Sequence, residues 1–185
     1  MPFFVEVGTC DFDTLNTLAI NGWRGIMVEP VSEYIDKLPK HDNIHYENIA
    51  ISNIKGNVDV HYINPSDIKH NDDEWMKGIS SINGASGPLE FNKHIDRFRN
   101  CKKVNVKTMT LNELCEKYNV TEIDLLKIDT EGHDFIVLST IDLDKINVKT
   151  IKIEHKHLNK QLVIDHLKKH NYIVWVETDD IYAVR

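Results

Sequence analysis

The densest run of chemically capable side chains is Asp129-Thr130-Glu131-Gly132-His133-Asp134. It follows an apolar stretch, Ile123 to Ile128, so a buried strand would deliver Asp129, Glu131, His133 and Asp134 into one short turn. Acids are favoured at a helix N-terminus by the helix dipole. That accounts for Asp134 and Glu131, but not for Asp129 and His133 together. An imidazole titrates near neutral pH, which makes His133 the first candidate for a general base. Asp129 is the second candidate, with the alternative duty of orienting a ligand amino group. Glu131 and Glu154 would position an acceptor or His133.

Three further sites stand at the ends of apolar runs. Glu6-Val7-Gly8-Thr9 closes the first. Gly8 allows a tight turn and a close approach to a ligand. Glu6 is an acid inside an apolar strand, and burying it requires a donor: a ligand amine, or a loop of backbone N–H groups. Glu29 closes the second run about 20 residues later, the offset at which an acid can hold both hydroxyls of a ribose. Glu154-His155-Lys156-His157 closes another. Two histidines and the nearby acids would admit a divalent ion, yet no Cys/His spacing matches a structural zinc site, and no metal is assigned. His157, His166 and His170 read as solvated surface.

These residues need a scaffold that brings strand ends together. Strands are expected at Phe3 to Val7, Gly25 to Val28, Ile44 to Ile51, Val58 to Ile63, Lys103 to Thr108, Ile123 to Ile128 and Thr150 to Glu154. Helices are expected from about Asp13 to Gly22, over Ser32 to Leu38, after the capping box Thr110-Leu111-Asn112-Glu113, from Asp134, and from about Asn159 to His170. A hairpin, Tyr172 to Glu177 and Ile181 to Val184, ends the chain. Alternation of this kind implies an α/β, doubly wound, mostly parallel sheet with a C-terminal antiparallel hairpin. Residues 64 to 100 lack periodicity and read as a lid-like insertion in a single domain spanning 1–185.

The chain has 185 residues, 41% of them hydrophobic, and no apolar run of the ~18–20 residues needed to span a bilayer. The start, Met1-Pro2-Phe3-Phe4-Val5-Glu6, does not read as a secretory signal. Three unpaired cysteines, Cys10, Cys101 and Cys115, point to a reducing, cytoplasmic setting. A net charge of −7 argues against nucleic acid as a partner. Lys93, Arg97, Arg99, Lys102, Lys103 and Lys107 nevertheless form a basic stretch. It reads either as solvated surface or as a landing site for an anionic small molecule such as a nucleotide sugar.

Together these segments resemble the FkbM-type family of S-adenosylmethionine-dependent methyltransferases. Val5-Glu6-Val7-Gly8 resembles the family's first motif, and Met27-Val28-Glu29-Pro30 its second, with the acid that holds ribose. Asn48-Ile49-Ala50-Ile51-Ser52 before Gly56 is similar to its third-strand pattern, and Ser80-Ser81 to a paired serine of its central loop. Ile123-Asp124-Leu125-Leu126-Lys127-Ile128-Asp129-Thr130-Glu131-Gly132 is the most specific element, and Ile153-Glu154 resembles the closing acidic motif. The resemblance implies a seven-stranded class I methyltransferase-like Rossmann fold and S-adenosyl-L-methionine as cofactor. It also implies O-methylation of a sugar or glycan hydroxyl. Glu6, Gly8, Thr9, Glu29, Pro30, Asn48, Ala50 and Asp129 would form the cofactor site. Cys10-Asp11-Phe12-Asp13 replaces the usual second glycine of the first loop, and His133-Asp134 stands where a second Glu is common. The chain starts directly at the first strand, so the insertion, or a second subunit in a homodimer, would cover the cofactor.

Two other readings compete. A nicotinamide-dependent oxidoreductase would use the same glycine and Glu29, but only Gly8 stands where three glycines are expected. A non-catalytic module of the same fold would bind a cofactor, sugar or partner protein, and the altered first loop supports it.

Overall fold

The computed structural model describes residues 1–12, 14–68, 71–82 and 101–185, and of 71–74 the backbone alone. The main sheet has seven strands: β1 (Phe3–Val7), β2 (Arg24–Val28), β3 (Ile44–Glu47), β7 (Glu122–Ile128), β8 (Asn147–Glu154), β9 (Ile173–Glu177) and β10 (Asp180–Val184). Their spatial order is β3-β2-β1-β7-β8-β10-β9. β1, β2, β3, β7 and β8 run parallel, and β10 is antiparallel to both its neighbours. This is the doubly wound, mostly parallel sheet with a terminal hairpin expected from the alternation.

The run Phe4-Val5-Glu6-Val7 of β1 is buried throughout because both faces of the central strands are covered. On one face, Val5, Val7, Leu126, Ile128, Ile151 and Ile153 pack with Leu111 and Leu114 of helix α3 (Leu111–Tyr118) and Val137 and Leu138 of α4 (Asp134–Ser139). On the other, Phe4 and Met27 pack with Ala19 of α1 (Asn16–Ile20) and Ile35 of α2 (Ser32–Ile35). Helix α5 (Lys160–Lys169) adds Val163 and Leu167 to the first cluster. The capping box forms as read: the Glu113 N–H donates to Thr110 Oγ1, and the Thr110 N–H donates to the Glu113 carboxylate.

Three expectations are corrected. The stretch from Ile44 to Ile51 is two strands, because Asn48 turns the chain and its side-chain amide donates to the carbonyls of Glu29 and Pro30. Beyond it β4 (Ala50–Ile51) joins a second sheet, order β4-β6-β5, with β5 (Asn57–Ile63) and β6 (Cys101–Met109). The first helix starts at Asn16, since the preceding Leu15 N–H is held by Glu6. Part of the expected insertion is 3-10 helix, at Pro65–Asp67 and Asn71–Ile79. Residues 83–100 of that segment lie outside the described residues, and with them Lys93, Arg97 and Arg99.

Register sets the functional edge. Val7 is aligned with Val28 and Ile128, Val28 with Glu47, and Ile128 with Ile153. The next residues, Gly8, Glu29, Asn48, Asp129 and Glu154, therefore stand in one row at the carboxyl ends. The chain leaves β1 toward β2 on one side and returns at β7 on the other, so this edge is the topological switch point where such sheets bind ligands.

Behind the edge, Glu6 is fully buried. Its carboxylate accepts the Leu15 N–H at 3.0 and 3.1 Å and Lys127 Nζ at 3.1 Å. Removing one member of a buried pair leaves the other charge uncompensated, at a cost of ~3–5 kcal/mol. Glu6→Ala should lower stability by about that much in urea unfolding. Adding Lys127→Met should recover part of the loss, and no recovery would show that the pair is not the cause.

Candidate active site

Gly8 turns the chain with φ +82°, and a β-carbon there would stand 1.8 Å from the Asp129 carbonyl oxygen. Only glycine permits this crossing. Two residues on, Cys10 adopts φ +49° and donates its N–H to Glu29 at 2.8 Å. The Val31 N–H donates to the other oxygen at 2.9 Å, so Glu29 also ties down the start of α2. Burial raises the Glu29 carboxyl to about 7, although both N–H donors favour its ionised form. Asp11, in the same loop, pairs with Lys77 at 2.8 Å and docks the loop against the 3-10 helix.

Two cavities meet along this loop, sharing Gly8, Cys10, Gly78 and Asp129. The first is a narrow recess walled by Val7, Val28, Ile49, Ile51 and Val60, with Glu29, Asp129 and His133 as its polar members beside Lys77 and Ser80. An apolar slot bearing carboxylates suits a flat heterocycle attached to a diol. Pro30 and Ala50 line it as well. The second cavity is wider. Thr9, Phe12, Trp75, Lys127, Asp129, Glu131, Glu154, Lys156 and His157 line it.

The turn after β7 sends its groups to different places. Asp134 is fully buried and accepts the N–H groups of Thr130 at 2.7 Å and Gly132 at 2.9 Å, so it shapes the turn and meets no ligand. Its carboxyl is raised to about 6, first by burial. Glu131, at φ +53°, swings into the wider cavity, and its Oε2 lies 3.2 Å from His157 Nε2. Burial and the Asp129 charge push Glu131 up to about 8, and burial and the Glu131 charge push Glu154 up to about 9. Ligand atoms of Glu131, Glu154 and His157 all lie within 4.8 Å of one another.

The structure brings Gly8, Thr9, Glu29, Pro30, Ala50, Asp129, Glu131, His133 and Glu154 to the two cavities. It does not bring Glu6 or Asn48 there. Glu6 lies two residues inside the edge and is held by Leu15 and Lys127, and Asn48 braces the Glu29–Pro30 turn from behind. Both position the site and do not line it. His133 sits at the narrow recess, 3% exposed, with Nε2 3.1 Å from Ser52 Oγ and its pKa lowered by burial. His157 is not solvated surface: its side chain is 16% exposed and faces Glu131. Trp75, Lys77 and Gly78 escaped the sequence reading because their segment has no periodicity. Ser80 is the exception there, carried by the paired-serine resemblance.

The raised carboxyls imply a pH dependence of stability. Glu131 and Glu154 bind their protons more tightly folded than unfolded, where they titrate at an ordinary 4.5. Their contribution is complete below 4.5 and is lost as pH rises through about 8 and 9. Lowered carboxyls such as Glu122 and Asp124 act in the opposite sense, at lower pH. The thermal midpoint should fall as pH rises from about 4.5 to about 9, and Glu154→Gln should flatten that fall. Equal slopes for the two proteins would overturn the assignment.

Comparison with known proteins agrees with this geometry. No curated protein and no solved structure matches the chain. The family model described as the methyltransferase FkbM domain matches residues 6–174, a span that opens at Glu6, contains both cavities and closes inside β9. With the match covering most of its length and the seven-stranded switch-point edge in place, the chain belongs to the FkbM methyltransferase domain family.

Proposed function

We propose that the protein is an S-adenosylmethionine-dependent O-methyltransferase acting on a sugar or glycan hydroxyl. The observation that carries the reading is the convergence of Gly8, Glu29 and Asp129 around the narrow apolar recess at the switch point. The recess fits an adenosyl group on this structure's own terms. Gly8 borders it with bare backbone, and Glu29 is a buried acid at the end of β2 where ribose hydroxyls would lie. Pro30 and Ala50 would flank the adenine and ribose, Gly8 and Thr9 would border the amino-acid end, and Asp129, shared by both cavities, would hold the amino group.

Bound there, S-adenosylmethionine would supply an activated methyl group on a cationic sulfur. The protein's task is then alignment, since a held acceptor oxygen reacts far faster than a free one. The wider cavity suits the acceptor. Trp75 is 45% exposed on its wall, a surface on which the apolar face of a sugar ring can pack. Lys156 adds a positive charge there, and Lys102 and Lys107 are exposed on β6, in keeping with an anionic acceptor such as a nucleotide sugar. Among the described residues no helix is long and apolar enough to cross a membrane, and Cys10, Cys101 and Cys115 are free, which supports a cytoplasmic setting.

Thermal-shift titration separates this reading from the dinucleotide alternative, because a ligand stabilises the fold it binds. S-adenosylmethionine should raise the midpoint and NAD should not; the reverse result would reject the proposal. Glu29→Gln should weaken S-adenosylmethionine binding by about 10–100-fold, the worth of hydrogen bonds to a charged group. Trp75→Ala should leave that affinity unchanged and raise the acceptor KM in a methyl-transfer screen of nucleotide sugars and glycans read by mass.

A further inference from the structure

We propose that Glu131, Glu154 and His157 form a binding site for one hard divalent cation, Mn²⁺ or Mg²⁺, in the wider cavity. The site stands on these three residues and goes beyond the methyltransferase reading.

The donors come from two neighbouring strand ends. Ile128 of β7 is aligned with Ile153 of β8, so Glu154 follows beside Asp129. Two residues past Asp129, Glu131 adopts φ +53° in the turn that Asp134 fixes through the Thr130 and Gly132 N–H groups. His157 lies in the turn after β8, and that turn is anchored too. The His155 N–H donates to the Asp179 carbonyl at 2.7 Å, and the Leu158 N–H donates to the His155 carbonyl at 3.0 Å. One ligand atom from each of Glu131, Glu154 and His157 then lies within 4.8 Å of the other two. All three residues line the wider cavity. Backbone fixed on both sides is what a preformed site needs.

Two further observations point to a cation. Oε2 of Glu131 and Oε2 of Glu154 are buried, and among the described residues neither has a hydrogen-bond partner. A buried oxygen left in that state calls for a water or an ion. His157 Nε2 stands 3.2 Å from Glu131 Oε2, yet no hydrogen bond reaches that oxygen. Two ligands side by side on one ion, each bonded at about 2.1 Å, are ~3.0–3.4 Å apart, so this spacing already suits an ion between them.

Charge agrees. Lys127 and Lys156 line the cavity and oppose a cation, but Lys127 Nζ is held by Glu6 at 3.1 Å. That leaves Lys156 against Asp129, Glu131 and Glu154. Two carboxylates and one imidazole make an oxygen-rich set with no thiolate in it, which suits Mn²⁺ or Mg²⁺ better than a soft ion. Three donor residues also leave coordination positions for water, or for oxygens of a small molecule in the cavity.

The test uses the full chain, with Mn²⁺ as the probe and no S-adenosylmethionine. The electron paramagnetic resonance signal of free Mn²⁺ should show one ion taken up per chain. Pulsed spectra of the bound ion should show a nitrogen-14 coupling from an imidazole, and His157→Ala should lose it. Glu154→Gln should weaken uptake by at least the roughly 10–100-fold that losing an outer-shell partner costs. Glu122→Gln, at the opposite end of β7, should leave uptake unchanged. Mn²⁺ should raise the thermal midpoint of the wild-type chain and not that of Glu154→Gln. No uptake by the wild-type chain overturns the site. Bound Mn²⁺ without a nitrogen coupling, or a coupling that survives His157→Ala, overturns it as well, because the ion then sits elsewhere. The wild-type coupling is read without any variant, so a variant that fails to fold leaves the test intact. With no cofactor in the titration, failure to bind Mn²⁺ and failure to bind S-adenosylmethionine are separate results, and only the first bears on this site.

Discussion

The carbonyl oxygen of Asp129 lies 1.8 Å from the point where a β-carbon on Gly8 would stand, so β1 and β7 can leave the sheet side by side only if residue 8 carries no side chain. Everything at the functional edge follows from that contact. It lets the first loop fold over the strand ends, where Cys10 can hand its N–H to Glu29 and Asp11 can reach Lys77. It also brings Asp129 to the seam between a narrow recess and a wide cavity. Two residues behind, the buried Glu6–Lys127 pair joins the same two strands to the start of α1. The site therefore stands on packed backbone and a satisfied charge pair, which is what precise positioning of reacting groups requires.

The second constraint is charge. Glu29, Asp129, Glu131, Asp134 and Glu154 crowd one edge, and burial makes each ionised carboxylate costly. The protein handles them in different ways. Glu29 and Asp134 are each given two backbone N–H donors; Asp134 is thereby purely structural, while Glu29 also lines the recess. Glu131 and Glu154 have oxygens that are buried without a hydrogen-bond partner, and their carboxyls are raised to about 8 and about 9. Groups kept near their titration point in a cavity are suited to exchanging protons or meeting a positive charge. A cationic sulfonium cofactor and a hydroxyl acceptor would present these two demands side by side.

Much of this was legible before any coordinates. Apolar runs ending in Gly8, Glu29, Asp129 and Glu154 announce parallel strands and their ligand-facing ends, because a strand buried on both faces has no room for polar residues until it emerges. The box at Thr110 and Glu113 is equally readable, since its two hydrogen bonds are local. Non-local pairing was not readable. Ala50 and Ile51 look continuous with β3, yet they belong to another sheet, because Asn48 spends its amide on the carbonyls of Glu29 and Pro30.

The sequence by itself determined the fold class, the switch-point edge and the acids that reach it, for these depend on periodicity and on where apolar runs stop. Tertiary structure alone decided which side of the edge each side chain serves. Glu6 and Asn48 carry the right chemistry but are turned to bracing, and His133 is drawn into the recess by Ser52. His157, outwardly an ordinary surface histidine, is brought to Glu131 because Glu131 takes a left-handed backbone that Asp134 holds in place. A side chain's neighbours come from strands more than a hundred residues apart in some cases, and no local pattern encodes that meeting.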